Sequence, residues 1–241
     1  RKNKAGTRAS MAKSREKRLA KMKRITPPSD NLRAHFNFPI EEILSANTLT
    51  VKNLVVGYDK PLLAPVTFSM THGEKIVLKG FNGVGKSTLI KSILGKIPVF
   101  EGTASFGDAV KIGYFNQDLV WDDATQTPLQ TIQNIDPLLE PKTIRQKLAR
   151  TGINAANAMQ PLNLLSGGEQ TKVKLCILEL HPTNFLILDE PTNHLDDETK
   201  DALRQALISY PGNVILVTHE ASFYRGWIDR IIDVEALRKT K

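Results

Sequence analysis

Three short stretches carry side chains whose types and spacing could do chemistry. Gly80, Gly85, Lys86 and Ser87 in "GFNGVGKST" fit G-x-x-x-x-G-K-[ST], a loop that wraps phosphate oxygens in backbone N–H groups. Asn82, Gly83, Val84 and Thr88 of the same stretch are further candidate phosphate-loop contacts. In such a loop the Lys86 ammonium reaches the β- and γ-phosphates of a nucleotide, and the Ser87 hydroxyl ligates Mg2+. "LDEPTNHLD" (188–196) closes an apolar run on paired carboxylates, Asp189 and Glu190. Alone, the pair could hold a metal, activate water or merely solvate a loop. Beside a phosphate loop the two can divide the work of phosphoryl transfer to water. Asp189 would serve the Mg2+ shell, and Glu190 would face a water near the γ-phosphate. His219 ends the apolar run "VILVTH", where ligands collect in open α/β sheets, and is a candidate γ-phosphate contact. Spacing leaves two positions open. Gln117, after "KIGYFN", could ligate Mg2+ or position water; Tyr58 could stack on a purine or be an ordinary strand aromatic.

These groups need elements to hold them. "GEKIVLKG" predicts a strand feeding the loop, and "KSTLIKSIL" the helix that receives it. "NFLILDE" (184–190) and "VILVTHE" (214–220) predict two more buried strands. The acidic strand is expected directly beside the strand that feeds the loop.

With 241 residues and 41% hydrophobic content, the chain can bury one sizeable domain with a subdomain. No apolar run approaches the roughly 20 residues that cross a bilayer, so no membrane span is expected. The basic N-terminus lacks the apolar stretch of a secretory leader, and the lone Cys176 excludes an internal disulfide. Cys176 lies in "VKLCILEL", a helical pattern that suits a buried small hydrophobe. A cytoplasmic location follows as the expectation. A chain beginning with Arg1 rather than Met is expected to be part of a longer protein.

Charge is unevenly placed. Residues 1–24 hold eleven Lys or Arg against one acid, Glu16, leaving 22 basic and 24 acidic side chains in the rest. "ASMAKSREKRLAKMKRI" has no Gly or Pro, and Met11, Leu19 and Met22 give a narrow apolar seam on a basic helix. Such an arm is either a solvated leader or a helix that lies on nucleic-acid phosphates. Without aromatics to stack on bases, it would contact backbone rather than read sequence. "TPPSD" (26–30) breaks the helix and marks a boundary: 1–30 a basic helical segment, 31–241 a globular domain.

"LLSGGEQTKVKLCILEL" (164–180) identifies a family. Ser166, Gly167, Gly168 and Glu169, between Leu165 and Gln170, resemble the signature of ABC ATPases and stand in that family's order, between phosphate loop and acidic strand. The resemblance covers about 48–235. It implies an α/β phosphate-loop fold with a mainly parallel core sheet, an antiparallel β subdomain and a helical subdomain at about 118–180. "PLQTIQNI" and "TIRQKLARTGI" read as helices of that subdomain. It also implies ATP and Mg2+ as ligands, with Tyr58 on the adenine, Gln117 in the lid loop and on the metal, and Asp189 directed at Mg2+. Glu190 becomes the base and His219 the switch histidine. Asp196 falls in the loop that meets a second module, and Ser166 and Gly168 complete that module's site rather than the one at Lys86. "EPTNHLD" with "LSGGEQTKV" is similar to the ABC-F subfamily, twin ATPases that act on ribosomes, as housekeeping translation factors or in antibiotic resistance. The basic arm resembles the linker such proteins place against rRNA and tRNA. A transporter ATPase subunit, docked on a membrane partner beside Gln117, is the alternative that this resemblance leaves.

Overall fold

The computed structural model describes residues 33–42 and 46–237; the basic helix expected before position 31 lies outside the described residues. In chain order the strands are β1 (Asn47–Val55), β2 (Val66–Thr71), β3 (Lys75–Lys79), β4 (Glu101–Phe106), β5 (Ile112–Phe115), β6 (Phe185–Asp189), β7 (Asn213–Val217) and β8 (Arg230–Asp233). The helices are α1 (Lys86–Ile93), α2 (Pro128–Ile135), α3 (Pro141–Arg150), α4 (Gly167–Leu178), α5 (Asp197–Ser209) and the single turn α6 (Ala221–Tyr224). An antiparallel sheet runs β2-β1-β4, and a fully parallel one runs β5-β6-β7-β3-β8.

Burial explains the parallel order. β6 and β7 are buried at every position, so each needs cover on both faces and neighbours on both edges. Phe185 and Ile187 of β6, with Ile215 and Val217 of β7, pack toward α1 (Leu89, Ile90, Ile93) and the antiparallel sheet. The alternate residues Leu186, Leu188, Val214 and Leu216 pack toward Leu203 and Leu207 of α5. Each such side chain contributes about 1.5–3 kcal/mol by leaving water. β8, which alternates half-buried Arg230 and Ile232 with exposed Ile231 and Asp233, takes an edge. One expectation is corrected here. The acidic strand β6 does not adjoin β3; β7 lies between them, pairing in parallel with both.

A third apolar cluster joins α2, α3 and α4 through Ile132, Ile144, Leu148, Val173 and Cys176. α2 falls where "PLQTIQNI" was expected and opens on a capping box between Thr127 and Gln130. α3 starts at Pro141, ahead of the expected "TIRQKLARTGI", and stops at Arg150, where the Thr151 hydroxyl turns back to donate to Leu148 O at 2.9 Å. Burial pushes the Cys176 thiol up to about 12, which makes it an inert packing group. Among the described residues, no helix is long and apolar enough to cross a membrane.

Candidate functional site

β3 delivers the chain to the phosphate loop, and α1 begins directly after it. Gly85 forms the N-cap at φ 114°, a left-handed conformation that a side chain would strain. This turn sets the first-turn N–H groups of α1 at the loop mouth, a natural place for anionic oxygens. The Lys86 ammonium is folded back and buried, donating to Gly80 O at 2.8 Å and Phe81 O at 3.1 Å. A cavity of about 390 Å3 opens over the loop. Asn82, Gly83, Gly85, Lys86, Ser87 and Thr88 line it, joined by Tyr58, Leu62, Gln117, Asp189 and Glu190 from elsewhere in the chain. Tyr58 is 61% exposed at the rim. Two of the loop residues sit apart: Val84 packs into the core, and Gly80 serves through its carbonyl on Lys86.

Asp189 is wholly buried at the end of β6, and neither of its carboxylate oxygens has a hydrogen-bond partner. Burial raises its pKa; Ser87, close by but without a formed hydrogen bond, opposes the shift, and Glu190 adds to it. An orphaned carboxylate beside a hydroxyl fits a divalent cation. Among the described residues there is no cluster of three His, Cys, Asp or Glu side chains, so a cation here would rely on substrate phosphates for further ligands. Asp189→Asn, which removes the buried charge beside Glu190 but leaves a polar amide in its place, is therefore expected to stabilise the nucleotide-free protein by about 1 kcal/mol. The same substitution should abolish the extra thermal stabilisation given by Mg2+ with ATP. Thermal unfolding with and without both ligands checks the two signs together.

Glu190 follows Asp189 at φ 49°, an uncommon conformation for a non-glycine residue, and its N–H donates to Val217 O at 2.9 Å. The side chain is 4% exposed, with Oε1 3.9 Å from Lys86 Nζ and Oε2 3.1 Å from His219 Nδ1. β7 thus does two things: it anchors the Glu190 backbone and delivers His219 to the carboxylate. His219 itself does not line the cavity and touches the site through Glu190.

Ser166, Gly167, Gly168, Glu169 and Asp196 stand outside this cavity. Ser166 is the N-cap of α4: its hydroxyl accepts from Glu169 N at 3.3 Å, and Glu169 Oε2 accepts from Ser166 N at 2.8 Å. The glycines admit a neighbour from the same chain, since a Cβ on Gly168 would stand 2.5 Å from His194 O. Asp196 caps α5 through Thr199 N (2.7 Å) and meets Lys172 of α4 at 3.3 Å. The signature and the 191–196 loop therefore form one surface, apart from the loop that holds Lys86. His194, left without a role in the sequence, is the piece that joins them; only its place in "NHLD" hinted at it.

The profile of the family described as ABC transporter matches residues 63–193, which hold the phosphate loop, the signature and both carboxylates. The chain belongs to that family, as an ABC ATP-binding domain. It is 40% identical over 214 residues to the ABC transporter ATP-binding protein YfmM of Bacillus subtilis, covering 89% of this chain and 41% of that protein. ABC transporter F family member 2 of Arabidopsis thaliana is 34% identical over 236 residues, covering 95% of this chain and 35% of that one. Protein GCN20 of Saccharomyces cerevisiae is 34% identical over 214 residues, covering 88% and 28%. The chain thus spans less than half the length of these relatives. An ABC transporter ATP-binding protein from Pyrococcus furiosus has the same fold, with a TM-score of 0.67 at 21% identity over 80% of this chain and all of that one.

Proposed function

We propose that this ABC ATP-binding domain is the C-terminal module of an ABC-F protein, in which ATP closes two modules on the ribosome and hydrolysis releases them. The observation that carries the reading is the split between two surfaces. The cavity over Lys86 holds a phosphate loop, a cation-directed Asp189 and a base, Glu190, while the signature lies elsewhere. A signature that serves no pocket of its own fits one that completes a second module's pocket. The relatives, more than twice as long as the matched stretch, have room for such a module.

In this reading residues 31–241 form the ATPase domain, with its helical subdomain at about 118–180, and the basic stretch 1–30 lies on rRNA and tRNA. Tyr58 stacks on adenine, the first-turn amides and Lys86 hold the phosphates, and Glu190 takes the proton of the attacking water. His219 steadies Glu190 and reaches toward the γ-phosphate, and Gln117 places the water. Ser87, Asp189 and Gln117 would hold Mg2+, which neutralises charge on the β- and γ-phosphate oxygens when bound. ATP favours the closed pair by binding both halves, so its free energy sets the equilibrium.

A second reading, a transporter's ATPase subunit, draws on a cavity of about 540 Å3 beside Gln117, lined by Tyr114, Asn116 and Trp121, where a membrane partner could dock. Co-sedimentation of the full-length protein with ribosomes separates the two. The expected result is binding with ATP and release with ADP. Ribosome binding that is absent under both nucleotides, with co-purification of an integral membrane protein, would establish the second reading instead.

A further inference from the structure

α5 is tied at both ends of its first two turns to loops that carry chemistry. At its N-cap, Asp196 meets Lys172 of the signature helix at 3.3 Å. One turn on, Lys200 Nζ donates to both carboxylate oxygens of Glu220, at 3.0 and 2.9 Å, with each side chain 24% exposed. The next turn adds Arg204, whose guanidinium donates to Phe223 O and Arg225 O, each at 3.0 Å. Lys200 and Arg204 stand at i and i+4, so they share one face of the helix. Between them they fix the segment 220–225 from its side chain and its backbone. His219 is the residue immediately before that segment, and Thr218, on its other side, accepts from Glu220 N at 3.1 Å.

We propose that Lys200, through its two-pronged contact with Glu220, is a positioning residue that sets the distance between His219 and Glu190. The proposal rests on the reading of Glu190 as the base for ATP hydrolysis. His219 is 54% exposed and meets the buried Glu190 through a single contact of 3.1 Å, so its own surroundings do little to fix it. What constrains it is the backbone at Thr218, which is buried at the end of β7, and the carboxylate at Glu220. Lys200 is the cation on that carboxylate, and it sits on a rigid helix whose N-cap belongs to the 191–196 loop. Loss of the contact would let the 219–220 turn swing while leaving the phosphate loop and Tyr58 untouched. A shift of about 1 Å in a group that acts on the reacting atoms costs up to roughly 100-fold in rate.

Steady-state hydrolysis by the full-length protein tests this with three variants beside the wild type. Lys200→Met and Glu220→Gln are expected to lower kcat roughly 10- to 100-fold with KM and thermal midpoint unchanged. Lys200→Arg, which keeps the ion pair, is expected to restore kcat. A kcat at the wild-type level in Lys200→Met overturns the proposal. So does a fall in kcat that tracks a fall in thermal midpoint and is not restored by Arg, because the pair would then serve stability alone. Glu190→Gln run in parallel keeps the two questions apart: if it leaves hydrolysis intact, the base is misassigned; if only Lys200→Met is silent, the positioning role alone fails.

Discussion

Glu190→Gln is expected to slow ATP hydrolysis by roughly 100- to 10,000-fold while nucleotide affinity is kept. The substitution is isosteric, so the left-handed turn at this position and its N–H bond to Val217 O are preserved. The amide can still sit against His219 and Lys86, which lie 3.1 and 3.9 Å from the carboxylate oxygens. It cannot accept a proton from water. Cavity, phosphate loop and Asp189 are unchanged, so binding persists and the chemical step is lost. Single-turnover hydrolysis and the nucleotide retained after gel filtration measure the two halves. Turnover within twofold of wild type would assign the base elsewhere.

The second large effect is on stability. Glu179, 1% exposed at the C-terminal end of α4, accepts from Arg150 Nη2 and from Asn37 N, each at 2.6 Å. With His35 N donating to Arg150 O, the ion pair fastens the 33–38 segment to the ends of α3 and α4. A negative charge at a helix C-terminus is doubly unfavourable, by burial and by the helix dipole, so the guanidinium is what permits it. Arg150→Met is expected to cost about 1–3 kcal/mol at pH 7, since it leaves the buried carboxylate with only the Asn37 N–H, while the lost guanidinium is itself 39% exposed. Adding Glu179→Gln should recover most of that. Burial raises the Glu179 carboxyl above its ordinary 4.5 even with Arg150 present. The folded state therefore holds its proton to higher pH than the unfolded chain does. In Arg150→Met the penalty vanishes below about pH 4.5 and grows as pH rises through the raised folded value. Urea midpoints at pH 7 and pH 4.5 check the sign. An equal loss at both pH values would mean that lost packing, not charge, is responsible.

What the sequence made legible was local. The phosphate loop announces itself within eight residues because one tight turn must do all its work, and strand–loop–helix flanks on either side leave few alternatives. "NFLILDE" and "VILVTHE" read as buried strands for the same reason, yet their order did not follow. Both are apolar on both faces, and nothing within either segment says which one β3 will pair with. Ser166 and Glu169 stand in the Ser-x-x-Glu spacing of a capping box, so the start of the helix after the signature is written in the same residues that resemble a ligand contact. Contacts such as Arg150–Glu179 and Lys200–Glu220 join residues 29 and 20 positions apart with no motif linking them, so only the fold reveals them. The left-handed turn at Glu190 was likewise hidden, since nothing in the residue type asks for it.

The proposed sharing of nucleotide between two modules is tested most directly by asking which signature serves Lys86. In the full-length protein, with hydrolysis confined to the Lys86 pocket by disabling the other module's phosphate loop, Ser166→Arg should leave the rate unchanged. The matching change in the other module's signature should abolish it. If Ser166→Arg silences the Lys86 pocket and the change in the other module does nothing, each module hydrolyses ATP with its own signature, and the shared-pocket mechanism is wrong.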